Sequence, residues 1–571
     1  MSVSDPHNMA ERLQRLENSV ERLRVLIIDR HGGERSLLHI TLSTLGITSI
    51  HNARSSTEVL RQVKAHEFDV IFADYFLDDG RDGQQLLEEL RQSQLIRRST
   101  VYMLVTAERS YRNVVSVAEL TPDDYLIKPF TAELLEERLI RALYKKRFFE
   151  EVFRHLDNGE LVAAFAVCKT LLGRDVQFQP DVLRHMGAIL NTLGRHDDAL
   201  SIYQRVLGLT SAPWARMGLA TAHRGLDDLA EAEQITTALI EEFPDYLAAY
   251  DFLAGICEEQ GKLARAQELL QQAASRSPNN SGRQRMIGEI AVRNDDLDAA
   301  ERAYGKVLER RRGSSLHDVD DYTNLTRVML DRGHTEGARR LTQELRRHWR
   351  GDSRGELAAL VMDSLCASRE GEPAKAKQAL ESAISLHEVM QGGADSAALP
   401  GKIAVDLAHA CLAVGDEAHA SGLLGRVAAE NHEDRGMIGR IQAVFAKTGK
   451  EEAGRELLAQ VGREIVELNN RGVLAQRSGN PQASTQALIE AAERVPSLQF
   501  LTDAARAIFS QLDRSGWNED LAQRAVRYLQ LAQTKDPHSP KVALTRELYL
   551  QVARKYGIEA APGALRRSAM S

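Results

Sequence analysis

Four apolar runs in the first 130 residues each end in a polar side chain. Val25-Leu26-Ile27-Ile28 leads into Asp29, Val70-Ile71-Phe72-Ala73 into Asp74, the run 101–105 into Thr106, and Tyr125-Leu126-Ile127 into Lys128-Pro129. Continuous apolar runs of this length are what strands buried on both faces require. A weaker strand is read at 49–52. Amphipathic helical segments fall between the runs, near 34–45, 57–66, 84–92, 110–118 and 132–144. Strands alternating with helices predict a doubly wound parallel sheet, whose carboxyl strand ends form the crevice where chemistry is done.

After Tyr144 the strand-like runs stop, and Ala, Leu, Glu, Gln and Arg at helical spacing continue to the end of the chain. A 34-residue period connects Pro244 to Pro278. The unit between them carries Tyr250, Leu253, Ala254, Gly261, Ala266 and Leu270, and Gly288, Leu297, Ala300 and Tyr304 follow one period after their counterparts. Looser units carry Met186-Gly187, Gly194, Ala199 and Tyr203, then Trp214, Met217-Gly218, Gly225 and Ala232. Turn signals at Gly333, Gly371, Gly415, Gly449 and Gly479 extend helical pairs to about Pro496. An extended loop is expected at 391–400, and two helices at 518–534 and 541–556 are expected to close the stack.

The residues Asp29, Asp74, Thr106, Tyr125 and Lys128-Pro129, at strand ends in this order, resemble the response-regulator receiver family over the first quarter of the chain. The resemblance implies an α/β flavodoxin-like fold in which Asp74 accepts a phosphoryl group from a histidine kinase or phosphotransfer protein. It also implies that Lys128 binds the phosphoryl oxygens, that Thr106 hydrogen-bonds them, and that Tyr125 is the aromatic switch. A carboxylate nucleophile needs positive charge beside it to offset the anionic oxygens of the transition state, and Lys128 supplies one such charge.

The chain departs from the family at Arg30. Receivers carry two adjacent acids there, which with the acceptor hold Mg2+; here the metal set is reduced to Asp29 and Asp74. A hard cation takes oxygen ligands, and a guanidinium offers none. Glu34 stands one helical turn later as a substitute acid, and pairing of Arg30 with Asp74 would mimic the metal's charge without its geometry. The loop Leu77-Asp78-Asp79-Gly80-Arg81-Asp82-Gly83 lacks the Pro that usually follows the acceptor and is one residue longer than the common loop.

The 34-residue units resemble tetratricopeptide repeats, which stack into an all-α superhelical solenoid whose groove binds peptides or helices of other proteins. By that resemblance the first helix of each pair lines the groove, and the partner-binding candidates are Arg184, Asp251, Glu258, Arg285 and Glu289, with Asn191, Arg216 and His223 on the same face. Their signs are mixed.

Composition narrows the reading further. A net charge of −8 over 571 residues gives no general nucleic-acid signature; the basic cluster Arg339-Arg340 with Arg346-Arg347-His348-Trp349-Arg350 is the sole support for a nucleic-acid interaction, and the short cluster Lys145-Lys146-Arg147 is read as a boundary between modules. No DNA-binding domain, transmembrane-length run or signal peptide is read, so a cytoplasmic location is expected. The four cysteines are isolated, and the seventeen histidines show no metal-ligand spacing. Met9, Leu13, Leu16, Val20 and Leu23 form a short heptad stripe that either packs on the receiver or pairs with a second copy as a homodimer.

The expected organisation is an amphipathic helix over 1–23, a receiver over 24–145, a repeat array over 146–557 and a tail over 558–571. The segment 134–153 is expected to be one nearly continuous helix joining the modules. The leading expectation is a response regulator, not an enzyme beyond its own phosphoryl acceptance and hydrolysis, whose output is protein binding by the array. A phosphorylation-independent pseudo-receiver scaffold, favoured by Arg30, stands beside it.

Overall fold

A computed structural model describes residues 21–77, 82–106, 122–278, 280–311, 318–392, 399–477, 481–537 and 539–558. The chain divides into two compact units, Met1–Gln284 with Arg310–Leu316 and Arg285–Glu309 with His317–Ser571.

In the first unit, strands β1 (Arg24–Ile28), β2 (Ser49–Ala53), β3 (Val70–Asp74), β4 (Val101–Thr106) and β5 (Asp124–Ile127) form one parallel sheet in the order β2-β1-β3-β4-β5. Helices α1 (Gly32–Thr44), α2 (Ser56–Ala65), α3 (Gly83–Gln92) and α4 (Ala132–Phe148) cover it. The alternation of the strands explains why their apolar runs are unbroken. Val25, Ile27, Phe72, Met103 and Leu126 pack with Leu38 and Leu42 of α1 and Leu135 and Leu139 of α4. Leu26, Ile28, Ile71, Tyr102 and Leu104 face the other way, toward Val59 of α2 and Leu86, Leu87 and Leu90 of α3. Helix α3 opens on a capping box in which the Asp82 carboxylate accepts from Gln85 N–H and the Gln85 side chain accepts from Asp82 N–H. The helix expected at 110–118 lies outside the described residues.

The junction helix differs from its expectation. Helix α4 ends at Phe148, Phe149 leaves helical geometry at φ −100° and ψ 7°, and α5 (Glu150–Asp157) begins beyond it. The break lets the wholly buried Phe149 ring insert among Phe148, Phe153, Phe178 and His185. Helices α6 (Leu161–Leu171), α7 (Gln179–Thr192), α8 (His196–Leu207), α9 (Pro213–Gly225), α10 (Leu229–Glu242), α11 (Leu247–Glu259) and α12 (Leu263–Arg276) follow.

The small residues of the repeat have a packing cause. A Cβ on Gly187 or Gly218 would lie 2.5 or 2.2 Å from the Tyr203 ring, so the tyrosine of α8 fills the space both glycines leave. Gly218→Ala is expected to destabilise the chain by about 2 kcal/mol, because the ring is buried and has nowhere to retreat; a denaturant midpoint checks it. Gly225 is not the turn residue its position suggests. It lies within α9, where a Cβ would meet the His196 ring, and Asp227 takes the left-handed conformation instead at φ 63°.

The second unit begins at Arg285 within α13 (Ser281–Arg293), takes in α14 (Leu297–Arg311) as far as Glu309, and runs on as α15 (Val319–Asp331), α16 (Thr335–His348), α17 (Ser353–Arg369), α18 (Pro373–Gly392), α19 (Gly401–Val414), α20 (Glu417–Glu430) and α21 (Arg435–Lys447). They continue as α22 (Glu451–Arg477), α23 (Pro481–Arg494), α24 (Leu498–Ser515), α25 (Glu519–Lys535) and α26 (Pro540–Lys555). One apolar core runs from Ala291 to Val552. Gln391 and Gly392, expected in a loop, belong to α18, and 393–398 lie outside the described residues. First helices of non-adjacent pairs meet through charge: Arg327 of α15 pairs with buried Asp406 of α19 at 3.2 Å, and Lys402 of α19 pairs with Glu289 of α13 at 3.2 Å. Arg339, Arg340 and Arg346 of the basic cluster are paired with Glu370, Glu336 and Glu356 within the unit. No helix of the described residues is long and apolar enough to cross a membrane.

Candidate functional site

Strand register delivers the candidate residues to one place. Ile28 pairs with Ala73, so Asp29 and Asp74 follow on adjacent strands. Asp74 pairs with Val105 and Thr106 with Ile127, so Thr106 and Lys128 complete a row along four carboxyl strand ends. The Lys128 N–H donates to the Thr106 carbonyl at 2.7 Å, which fixes the lysine backbone to that row.

The Lys128 ammonium bridges the two acids, 2.7 Å from Asp29 Oδ2 and 2.6 Å from Asp74 Oδ2. The three side chains are only 16%, 8% and 11% exposed in the order Lys128, Asp29, Asp74. Each carboxylate also accepts a backbone hydrogen bond through its other oxygen, Asp29 from His31 N–H at 2.8 Å and Asp74 from Phe76 N–H at 2.9 Å. The two acids nevertheless differ. Burial acts against the charge of Asp29, but the bonds from Lys128 and His31 outweigh it and hold its carboxyl below the usual range. Burial raises the Asp74 carboxyl, Asp29 adds to the rise, and Lys128 and the Phe76 N–H offset only part of it. Burial also opposes the charge of Lys128, yet its hydrogen bonds to both acids raise its pKa.

Arg30 is exposed, with its guanidinium 5.8 Å over the Phe76 ring. Among the described residues no ion pair links Arg30 to Asp74, so the expected pairing is corrected: Lys128 already occupies the acceptor carboxylate. Glu34, in the first turn of α1, reaches within 3.6 Å of Lys128 Nζ and is half exposed. Among the described residues no group of three or more His, Cys, Asp or Glu side chains is arranged to hold a metal ion. With both buried acids engaged by Lys128 and no oxygen from Arg30, the described residues offer Mg2+ a weakened donor set.

Thr106 is buried at the end of β4, and Tyr125 pairs in register with Leu104 and packs half-buried on the α3 side of the sheet. Leu23, counted in the amino-terminal stripe, is buried in the receiver core, and Met9 to Val20 lie outside the described residues.

The groove candidates are less open than a mixed-sign face implies. Asp251 forms a two-point pair with buried Arg283 at 2.7 Å, Arg285 forms another with Asp321 at 2.6 and 2.7 Å, and Glu289 meets Lys402. Arg184 is exposed and lies 5.9 Å over Trp214, and Glu258 is half-buried on α11. Asn191 is buried and donates to the Gly218 carbonyl at 3.1 Å, so it ties two helices together and does not line a groove.

Sequence reading passed over Lys146, taken only as part of a basic boundary cluster. Its signal was present: it follows Leu139, Ala142 and Leu143 at spacings of seven, four and three on α4, which places it on the apolar stripe.

The response regulator receiver domain family matches residues 25–140, and a tetratricopeptide repeat family matches residues 258–319. The chemotaxis protein CheY of Pseudomonas aeruginosa is 28% identical over 130 residues, which cover 23% of this chain and 98% of that protein. CheY-3 of Vibrio cholerae is 28% identical over 119 residues, 21% of this chain and 90% of that protein. Among solved structures, a two-component response regulator from Clostridium difficile aligns with 27% identity over 21% of this chain and 96% of its own, at a TM-score of 0.20. A tetratricopeptide repeat protein from Parabacteroides merdae aligns with 14% identity over 55% of this chain and 98% of its own, at a TM-score of 0.32. The chain therefore joins a response-regulator receiver domain of the CheY type to a helical region containing tetratricopeptide repeats.

Proposed function

We propose that the chain is a two-component response regulator in which Asp74 accepts a phosphoryl group and the receiver, over 24–145, controls protein binding by the array over 146–557. The observation that carries the proposal is the Lys128 ammonium bridging Asp29 and Asp74 at adjacent strand ends. Receivers take their phosphoryl group from a histidine kinase or phosphotransfer protein, and repeat arrays bind other proteins; both partners are proposed for this chain on that basis. Arg184, exposed over Trp214, is the groove residue we assign to partner contact, because Asp251, Arg285 and Glu289 are held in pairs within the chain.

Transfer to Asp74 is a displacement at phosphorus by a carboxylate oxygen. The Asp74 carboxylate forms the new O–P bond, the donor's bond to phosphorus breaks, and the leaving group departs with that electron pair. Lys128 stands where the transferred oxygens gain charge, and it must loosen its hold on Asp74 Oδ2 to meet them. Thr106 is proposed to donate to a phosphoryl oxygen, and Tyr125 to follow Thr106 along the paired strands. CheY-type receivers use Mg2+ to offset the remaining charge. Here the metal contribution is proposed to be weak, which leaves Lys128 as the buried cation of the site and makes acceptance slow.

Incubation with acetyl phosphate followed by intact-mass analysis tests this reading. A single phosphoryl adduct that disappears in Asp74→Asn is the expected result. No adduct in the native chain at any donor concentration removes the reading in favour of a pseudo-receiver scaffold. That second reading has its own support, since Arg30 stands exposed over Phe76 and brings no oxygen to the acids.

A further inference from the structure

The Lys146 side chain is 12% exposed, and its ammonium makes three contacts. It pairs with Asp123 Oδ1 at 2.9 Å, donates to the Arg98 carbonyl at 2.6 Å, and lies 5.2 Å over the Phe153 ring. Asp123 immediately precedes β5 and is fixed to β4: its N–H donates to the Tyr102 carbonyl at 2.8 Å, and its other carboxylate oxygen accepts from Tyr102 N–H at 2.9 Å. Arg98 is held in turn by Asp157, through its backbone N–H at 3.2 Å and its Nε at 3.1 Å. Phe153 and Asp157 both belong to α5, the first helix beyond the receiver sheet. One buried cation therefore joins the start of β5, the turn before β4 and α5.

Neighbouring contacts stiffen this junction. The Tyr144 hydroxyl donates to Asp175 at 2.9 Å, and Lys145 donates to Asp181 at 2.7 Å. Phe149 is wholly buried between them and α7. Strand β5 has Asp123 at one end and Lys128 at the other, roughly 16 Å apart at the usual strand rise of about 3.3 Å per residue. A paired strand transmits displacement along its length better than it absorbs it, because slipping would break every ladder bond to β4. Lys128 is the residue whose position must change when Asp74 gains charge.

We infer that Lys146 is a positioning residue that couples the phosphoacceptor site to the repeat array, with movement of Lys128 carried along β5 to Asp123 and through the Asp123–Lys146–Arg98 contacts to α5. The inference rests on the proposed role of Asp74 for its trigger, and on the junction alone for its route.

Hydrogen exchange by mass spectrometry on the full chain tests the route, read at Glu150–Asp157 and Leu161–Leu171 with β4 as reference. Two perturbations act at the Lys128 end: acetyl phosphate, and Lys128→Met, which needs no phosphorylation. In the native chain and in Lys146→Arg each is expected to change exchange in α5 by about threefold or more, and in Lys146→Met the change is expected to vanish. Lys146→Met combined with Asp123→Asn removes both charges, so an unpaired carboxylate cannot account for the loss. Equal responses in the native and Lys146→Met chains overturn the route, as does an α5 that ignores Lys128→Met in the native chain. Absence of an adduct at Asp74 defeats the phosphorylation reading instead, and the Lys128→Met arm still decides the route.

Discussion

Arg30→Asp is expected to raise the rate of phosphoryl acceptance by about tenfold or more and to make that rate depend on Mg2+. In the native chain the same rate is expected to change little when EDTA replaces Mg2+. The argument begins with ligand chemistry. A small divalent cation demands several oxygen donors in near-octahedral array, and two carboxylates already bound by one ammonium are a poor start. Arg30 adds a positive charge on the exposed side, where its guanidinium rests over Phe76. An aspartate at position 30 would follow directly on Asp29 at the end of β1, next to Asp74 on β3. The reading is checked by the growth of the phosphoryl adduct with and without EDTA, and by Mn2+ binding followed by electron spin resonance. Failure of Arg30→Asp to gain either Mn2+ binding or rate would mean that the missing acid does not limit the site. Native acceptance should also rise with pH beyond the ordinary carboxylate range, because burial raises the Asp74 carboxyl and only its deprotonated form is a nucleophile.

The sheet was legible because both of its faces are buried: residues on each side of every strand had to be apolar, and the polar exceptions stood out at the strand ends. Asp29, Asp74, Thr106 and Lys128 were found for that reason. The repeat helices were legible from their small residues, since Gly187, Gly218 and Gly288 leave room for Tyr203 and Tyr304. What the sequence withheld was the pairing of charges. Asp251 with Arg283, Arg285 with Asp321 and Arg327 with Asp406 join helices 32 to 79 residues apart, and nothing in a helical period says which charge finds which. Exposed and buried charges look alike in one dimension, so residues assigned to an open groove turned out to be engaged by the chain itself. The break at Phe149 was hidden for a related reason. Residues 134–153 all suit a helix, and the gain from burying one aromatic ring among four others decides the matter only in the folded chain.

Lys128→Met is expected to destabilise the receiver by about 3 kcal/mol, and adding Asp74→Asn is expected to restore about 2 kcal/mol of that loss. Removing the ammonium leaves two adjacent buried carboxylates with no cation between them, and the single backbone N–H that each accepts, from His31 or Phe76, is left to oppose desolvation without the lysine. Taking away one carboxylate removes their mutual repulsion and half of the uncompensated charge. The dependence on pH follows from the directions of the shifts. In the native chain the Asp29 carboxyl is depressed, so its contribution is present above the ordinary carboxylate pKa and is lost as pH falls through its folded value. The raised ammonium of Lys128 contributes below the ordinary lysine pKa, and that contribution is lost only as pH rises through its folded value. The raised Asp74 carboxyl works the other way: its contribution is present in acid and is lost as pH climbs through its folded pKa. Without Lys128 both acids should follow the Asp74 pattern, so Lys128→Met should be most stable in mild acid and weaken toward neutrality more steeply than the native chain, in which the Asp29 contribution opposes that of Asp74. Urea midpoints of the receiver transition between mild acid and neutral pH distinguish these cases. A Lys128→Met chain with the native pH profile would show that solvent, and not the lysine, compensates the two acids.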